Sequence, residues 1–117
     1  MSGTQWRTAA ETTAMIRDLN DAFRKDLRGG KLLLSSGIIA KLGNETAALL
    51  RAISDFDHFS ADDDPYGEHD FGCTSWQGDP IFWKIDYLDA DTVLGYPDPA
   101  DPDQTVRVLT VMMAWEY

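Results

Sequence analysis

A chain of 117 residues with 44% hydrophobic and 11% aromatic content can bury a core without disulfides or a structural metal, so one globular domain over 1–117 is expected. The formal net charge of −10 argues against nucleic acid and anionic membrane as direct partners. Cys73 is the only cysteine, which rules out an intramolecular disulfide or a zinc site of several thiolates and points to a reducing, cytoplasmic setting. The start lacks the basic region and apolar run of a secretory signal, and no apolar stretch approaches the roughly 20 residues of a membrane span.

Thr8 and Glu11 have the spacing of a capping box, and Ile16, Leu19, Phe23 and Leu27 then recur at three- and four-residue intervals. This predicts an amphipathic helix over 9–28, stopped by Gly29-Gly30, with Arg17, Asp18, Asp21, Arg24 and Lys25 between the apolar positions. The run KLLLSS (31–36) predicts a first strand, whereas GIIAKLG (37–43) is open between a strand and a helical turn. Asn44 is placed to cap a second helix over 45–56, with Ala48, Leu49, Ala52, Ile53 and Phe56 as its buried stripe. Aromatic-rich segments on either side of Gly78-Asp79 predict a hairpin whose second arm puts Ile81, Trp83, Ile85 and Tyr87 on one face. Residues 89–104, rich in proline and aspartate, read as an irregular loop, and the β-branched TVRVLTVMMAWEY (105–117) reads as a closing strand, with a helix as the alternative. The expected fold is α+β, two helices packed on one face of an antiparallel sheet of three to five strands.

Charge is polarised along the chain. Residues 1–54 hold eight Lys/Arg against five acids, while residues 55–103 hold fourteen acids against one base, Lys84. That block includes Asp55, Asp57, Asp62, Asp63, Asp64, Glu68, Asp70, Asp86, Asp89, Asp91, Asp98, Asp101 and Asp103, the residues expected to form an acidic partner-binding face. Duplex DNA carries one negative charge per roughly 1.7 Å, so the block matches the charge of about six or seven base pairs.

Catalytic signatures are weak. His58, Glu68, His69 and Asp70 have metal-binding or acid-base side chains, yet none has the helical spacing of a zincin motif, and aspartates are common in turns for conformational reasons. Cys73, in a predicted strand, reads as a small buried hydrophobe, and no nucleophile elbow or phosphate loop is present. The aromatics Trp76, Phe82, Trp83, Tyr87 and Trp115 read as sheet packing, because a base-stacking platform would be ringed by Lys/Arg.

At DPYGEHDFG, IFWKIDY, DPADP and TVRVLTVMMAWEY the chain resembles the small bacterial proteins grouped as domain of unknown function 3768. The resemblance runs from the first helix to Glu116-Tyr117 and implies alphaproteobacterial origin and mobile-element association, with no activity or cofactor attached. The combined expectation is a non-enzymatic, acidic interaction protein: a DNA-mimic inhibitor, anti-CRISPR or anti-restriction, covering a basic surface of a Cas effector subunit or similar complex. Two alternatives stand beside it, an acidic surface that serves solubility alone, and a metal-binding protein or hydrolase using His58, Glu68, His69 and Asp70.

Overall fold

A computed structural model describes residues 7–90 and 98–117. The first helix, α1 (Ala9–Asp26), opens on the predicted capping box, with Thr8 and Glu11 each accepting the other's backbone N–H. It ends at Asp26, two residues earlier than predicted, and its C-cap Leu27 takes the left-handed conformation (φ 57°) and donates its N–H to the Phe23 carbonyl. Gly30 is needed for a different reason: a Cβ there would overlap the Phe23 ring and the Arg107 carbonyl.

After α1 come β1 (Lys31–Leu34), α2 (Ser36–Leu42), α3 (Thr46–Ser54), β2 (Phe71–Trp76), β3 (Asp79–Asp89) and β4 (Thr105–Met113). The ambiguous GIIAKLG is therefore helical, capped by the Ser35 hydroxyl on the Ile38 N–H. Asn44 caps nothing; a 3-10 turn over Gly43–Glu45 runs directly from α2 into α3. The C-terminal segment is a strand, closed by a 3-10 turn over Ala114–Glu116.

The sheet order is β1-β4-β3-β2. Two of its three pairings are antiparallel, as expected, but β1 runs parallel to β4, with Leu32 opposite Leu109 and Leu34 opposite Val111. The two strands are separated by α2, α3 and the β2–β3 hairpin, a crossover long enough to permit parallel pairing. The hairpin turns at Gln77-Gly78, one residue before the predicted site, and both residues have positive φ (52° and 87°).

One face of the sheet carries Ile81, Trp83, Ile85, Leu109, Val111 and Met113, packed against Phe23, Ile38, Leu42, Leu49 and Ile53 from the helices. Fully burying an aliphatic or aromatic side chain of this kind contributes about 1.5–3 kcal/mol. Trp83 is completely buried with its indole edge over Gly72, where a side chain would overlap it. Among the described residues no helix covers the opposite face, where Phe71, Phe82 and Tyr117 form an aromatic cluster with centroids 5.3–5.9 Å apart. Cys73 points to that face and is exposed, contrary to the buried hydrophobe expected. Trp115 is exposed as well, so the sheet-packing reading holds for Trp83 and, in part, for Trp76 and Tyr87.

The C-terminal turn is fastened to α2. Ser35 Oγ and the Gly37 N–H donate to the Glu116 carboxylate at 2.5 and 3.1 Å, and the Met113 N–H donates to it at 2.7 Å. The Ser35 hydroxyl, then the backbone amides, hold this carboxyl below its ordinary value. Among the described residues no helix is long and apolar enough to cross a membrane.

Candidate functional site

The acidic segment between α3 and β2 has no regular secondary structure apart from turns, yet it is anchored along its length. Its anchor is a polar stripe on α1: Arg17, Asn20, Asp21 and Arg24, spaced so that all four lie along one side of the helix. Arg17 donates to the Gly67 carbonyl at 3.3 Å, and Asn20 Nδ2 donates to the Glu68 carbonyl at 3.0 Å and to the Tyr87 hydroxyl at 2.9 Å. Arg24, 5% exposed, donates through Nη1 to the carbonyls of Ile53 (2.6 Å) and Phe56 (3.1 Å), and through Nη2 to Asp21 at 2.9 Å. Its guanidinium lies over Trp83 and Phe59, at 4.9 and 5.3 Å from the ring centroids.

A second arginine completes the frame from the sheet. Arg107 is buried on β4 and donates Nε–H to Asn20 Oδ1 at 2.6 Å, donates Nη2–H to the Pro99 carbonyl, and stacks 5.2 Å from the Tyr87 ring. Burial lowers its pKa, while the nearby Tyr87 and Glu68 act against that shift. Burial pushes the Tyr87 phenol up to about 12.

The loop also ties itself. Asp64 is buried, and its Oδ1 accepts the N–H groups of Glu68 (3.0 Å) and His69 (3.1 Å). His69 has φ 56°, a left-handed conformation more accessible to His than to most residues. Its Nδ1 lies 2.8 Å from Asp21 Oδ1, its Nε2 3.9 Å from Asp64 Oδ2, and its ring stacks on Phe59 at 3.7 Å with the planes 3° apart.

This frame sorts the predicted acids into groups. Asp64, Glu68, Asp70 and Asp86 lie close enough at the start of β2 for their charges to act on one another. Burial, then the charges of Asp70 and Asp64, raises the Glu68 pKa. Burial raises the Asp70 pKa, and the charges of Asp64 and Asp86 add to it. The Cys73 thiol is raised by burial and by Asp63. Asp62 and Asp63 are exposed beside this cluster, and Asp86 is paired with Lys84 at 3.0 Å on the helix-free face. Asp55 and Asp57 instead border a cleft of about 580 Å³ together with Asp21, Arg24, Phe59 and His69. Asp89 stands opposite Thr105 at the end of β3, and Asp91 lies outside the described residues.

Asp98 and Asp101 make local turns. Asp98 accepts the Ala100 N–H at 3.0 Å, and Asp101 accepts the Asp103 N–H and the Gln104 side-chain amide, both at 2.9 Å. Asp103 is exposed beside them.

The residues of the metal or hydrolase alternative are not assembled. The His58 side chain is 89% exposed and its Nε2 lies 3.5 Å from Asp57, whereas both His69 ring nitrogens face carboxylates from α1 and the loop. Among the described residues no three His, Cys, Asp or Glu side chains gather as a metal ion would require. The residues that shape the site and escaped the sequence reading are Asn20, Asp21, Arg24 and Arg107. Asp21 and Arg24 looked like the polar side of an amphipathic helix, and Asn20 and Arg107 were not singled out. The usable signal was Asn20 and Arg24 flanking Phe23, a polar stripe beside the apolar one.

A family model described as a protein of unknown function (DUF3768) matches residues 34–116. The match contains the loop and all the strands except most of β1, and it leaves α1, which the resemblance had included, outside. Neither the curated proteins nor the solved structures contain a match.

Proposed function

The chain belongs to the DUF3768 family of proteins of unknown function, and from that premise we propose that it is a small acidic interaction protein that covers a basic, nucleic-acid-binding surface of a partner complex. The single observation that carries this reading is the cluster of Asp64, Glu68, Asp70 and Asp86 on the loop anchored to α1, with exposed Asp62 and Asp63 beside it, in which neighbouring charges add to burial in raising the Glu68 and Asp70 pKa values. Carboxylates held together against their own repulsion gain when a cationic surface meets them, and the side chains bearing them need little reordering on binding. The frame beneath them is built from buried Asn20, Arg24 and Arg107, so their backbone is presented on a rigid support.

A DNA-mimic inhibitor of a bacterial defence complex, of the anti-CRISPR or anti-restriction kind, is the form of this activity that suits the charge density. The test is competition: purified protein against labelled duplex DNA for a purified Cas effector or restriction complex, at low and at several-hundred-millimolar salt. The expected result is displacement that weakens steeply with salt and falls by about tenfold or more when Asp62 and Asp63 are changed to lysine. Displacement indifferent to both salt and charge reversal, or no displacement of DNA from any such complex, leaves solubility as the role of the acidic surface.

A further inference from the structure

Among the described residues, the outer edge of β2 presents unpaired backbone groups next to the acidic loop. The Ile85 N–H donates to the Asp70 carbonyl at 2.8 Å, which sets the parity of the β2–β3 pairing. Gly72, Thr74 and Trp76 therefore exchange ladder bonds with β3, and the N–H and C=O groups of Phe71, Cys73 and Ser75 point away from the sheet. Among the described residues none of these six groups has a hydrogen-bond partner. The opposite edge of the sheet, β1, is only four residues long and begins with Lys31, whereas β2 has six residues and contains no proline, lysine or arginine. Edges left long and unblocked in this way are templates for another strand.

The charge beside this edge is of one sign. Asp70 immediately precedes β2, Asp63 is close enough to act on the Cys73 thiol, and Asp62 stands next to it in the same turn. Lys84, opposite Phe71 in the register, is already tied to Asp86. On the helix-free face the Phe71 and Phe82 rings, 5.3 Å apart, offer an apolar surface beside the exposed Cys73.

We propose that β2 is the docking edge for an extended, basic segment of a protein partner, which adds to the sheet as a fifth strand; the basic character of that segment rests on the acidic-surface function proposed for the chain. Its backbone bonds with Phe71, Cys73 and Ser75, its Lys or Arg side chains meet Asp62, Asp63 and Asp70, and alternate apolar side chains rest on Phe71. Open hydrogen-bonding groups make the partner a strand, and the acids around them make that strand basic.

The test uses the full chain and a short fluorescent peptide alternating lysine with valine, beside the same peptide N-methylated on alternate amides. Methylation on the pairing edge removes strand bonds and keeps the charge. Fluorescence anisotropy is expected to show binding by the first peptide and about tenfold or greater weakening for the methylated one, a difference of at least 1.4 kcal/mol. C73P and S75P are expected to weaken the unmethylated peptide similarly, since proline at an outward-facing edge position spares the native ladder; circular dichroism checks that they fold. Equal binding of both peptides overturns the edge proposal even if the proline variants fail to fold, and so does failure of the unmethylated peptide to bind. If salt-sensitive displacement of DNA persists in either case, the acidic-surface reading survives; if it too is absent, both fall.

Discussion

Two acidic segments of similar composition behave differently in this molecule. The loop from Asp55 to Asp70 is fixed by side chains from distant elements: Arg17, Asn20 and Arg24 on α1 reach its backbone, and His69 reaches back to Asp21. The segment Asp98–Gln104 is organised mainly by its own aspartates, through bonds to residues two or three positions on. Its longer-range ties among the described residues reach backbone carbonyls: Arg107 holds that of Pro99, the Thr105 hydroxyl that of Asp98 at 2.6 Å, and the Ala90 N–H that of Gln104 at 3.0 Å. Acid density in a sequence therefore says little about presentation: one segment is displayed on a frame, and the other uses its carboxylates to make turns.

The strongest way to break this comparison is to remove the frame. Arg24→Ala leaves the buried end of α3 without its shorter bond at the Ile53 carbonyl, which keeps the Phe56 N–H, removes the side-chain donor to the Phe56 carbonyl and strips the cation from Trp83, so a loss of about 3 kcal/mol is expected in urea unfolding. A loss below about 1 kcal/mol would mean the loop does not depend on α1. Next in size is a paired substitution. Asp64→Ala removes a buried acceptor of two backbone N–H groups and is expected to cost about 2 kcal/mol, whereas Asp101→Ala, which removes bonds at an accessible turn, is expected to cost about 0.5–1 kcal/mol. Equal costs would erase the distinction between the segments.

The smallest effect concerns pH. Folding raises the Glu68 and Asp70 pKa values from ordinary values of 4.5 and 3.8, so their protonated forms favour the folded state and stability is lost as pH climbs through the folded pKa values. Glu68→Gln with Asp70→Asn is expected to stabilise by about 0.5 kcal/mol at neutral pH, a figure kept small by solvent screening, and to lose that gain on acidification. Glu116 behaves oppositely: its lowered pKa contributes stability present above its ordinary 4.5 and lost as pH falls through the folded value. Melting curves from pH 3 to 8 separate the two signs.

Much of the scaffold was legible because it obeys local rules. The capping box at Thr8 and the alternation Ile81-Trp83-Ile85-Tyr87 each name their element by spacing alone, whereas the β-branched residues at 105–111 favoured a strand and left a helix open. The partner of β1 was not legible, since Leu32 and Leu34 carry no mark of Leu109 and Val111 beyond being apolar. The site was half legible. The acids of the cluster stood out as a charge block, but their grouping depends on Asn20, Arg24 and Arg107, whose roles exist only after α1 and β4 are packed. His69 was noticed as a metal-binding or acid-base side chain, and its pairing with Asp21 was not legible because it spans 48 positions.

The strand order has a kinetic consequence. The β2–β3 hairpin needs only the Gln77-Gly78 turn to form, whereas β1 borders β4, 77 positions further along at the Lys31–Val108 pairing. Until β4 inserts between β1 and β3, the hydrophobic run Leu32–Leu34 has no strand to join and the Glu116 clasp on α2 has nothing to close. Folding should thus be gated by a late, long-range loop closure, giving a slower rate than the three helices alone would suggest and a short-lived species with two unsatisfied strand borders.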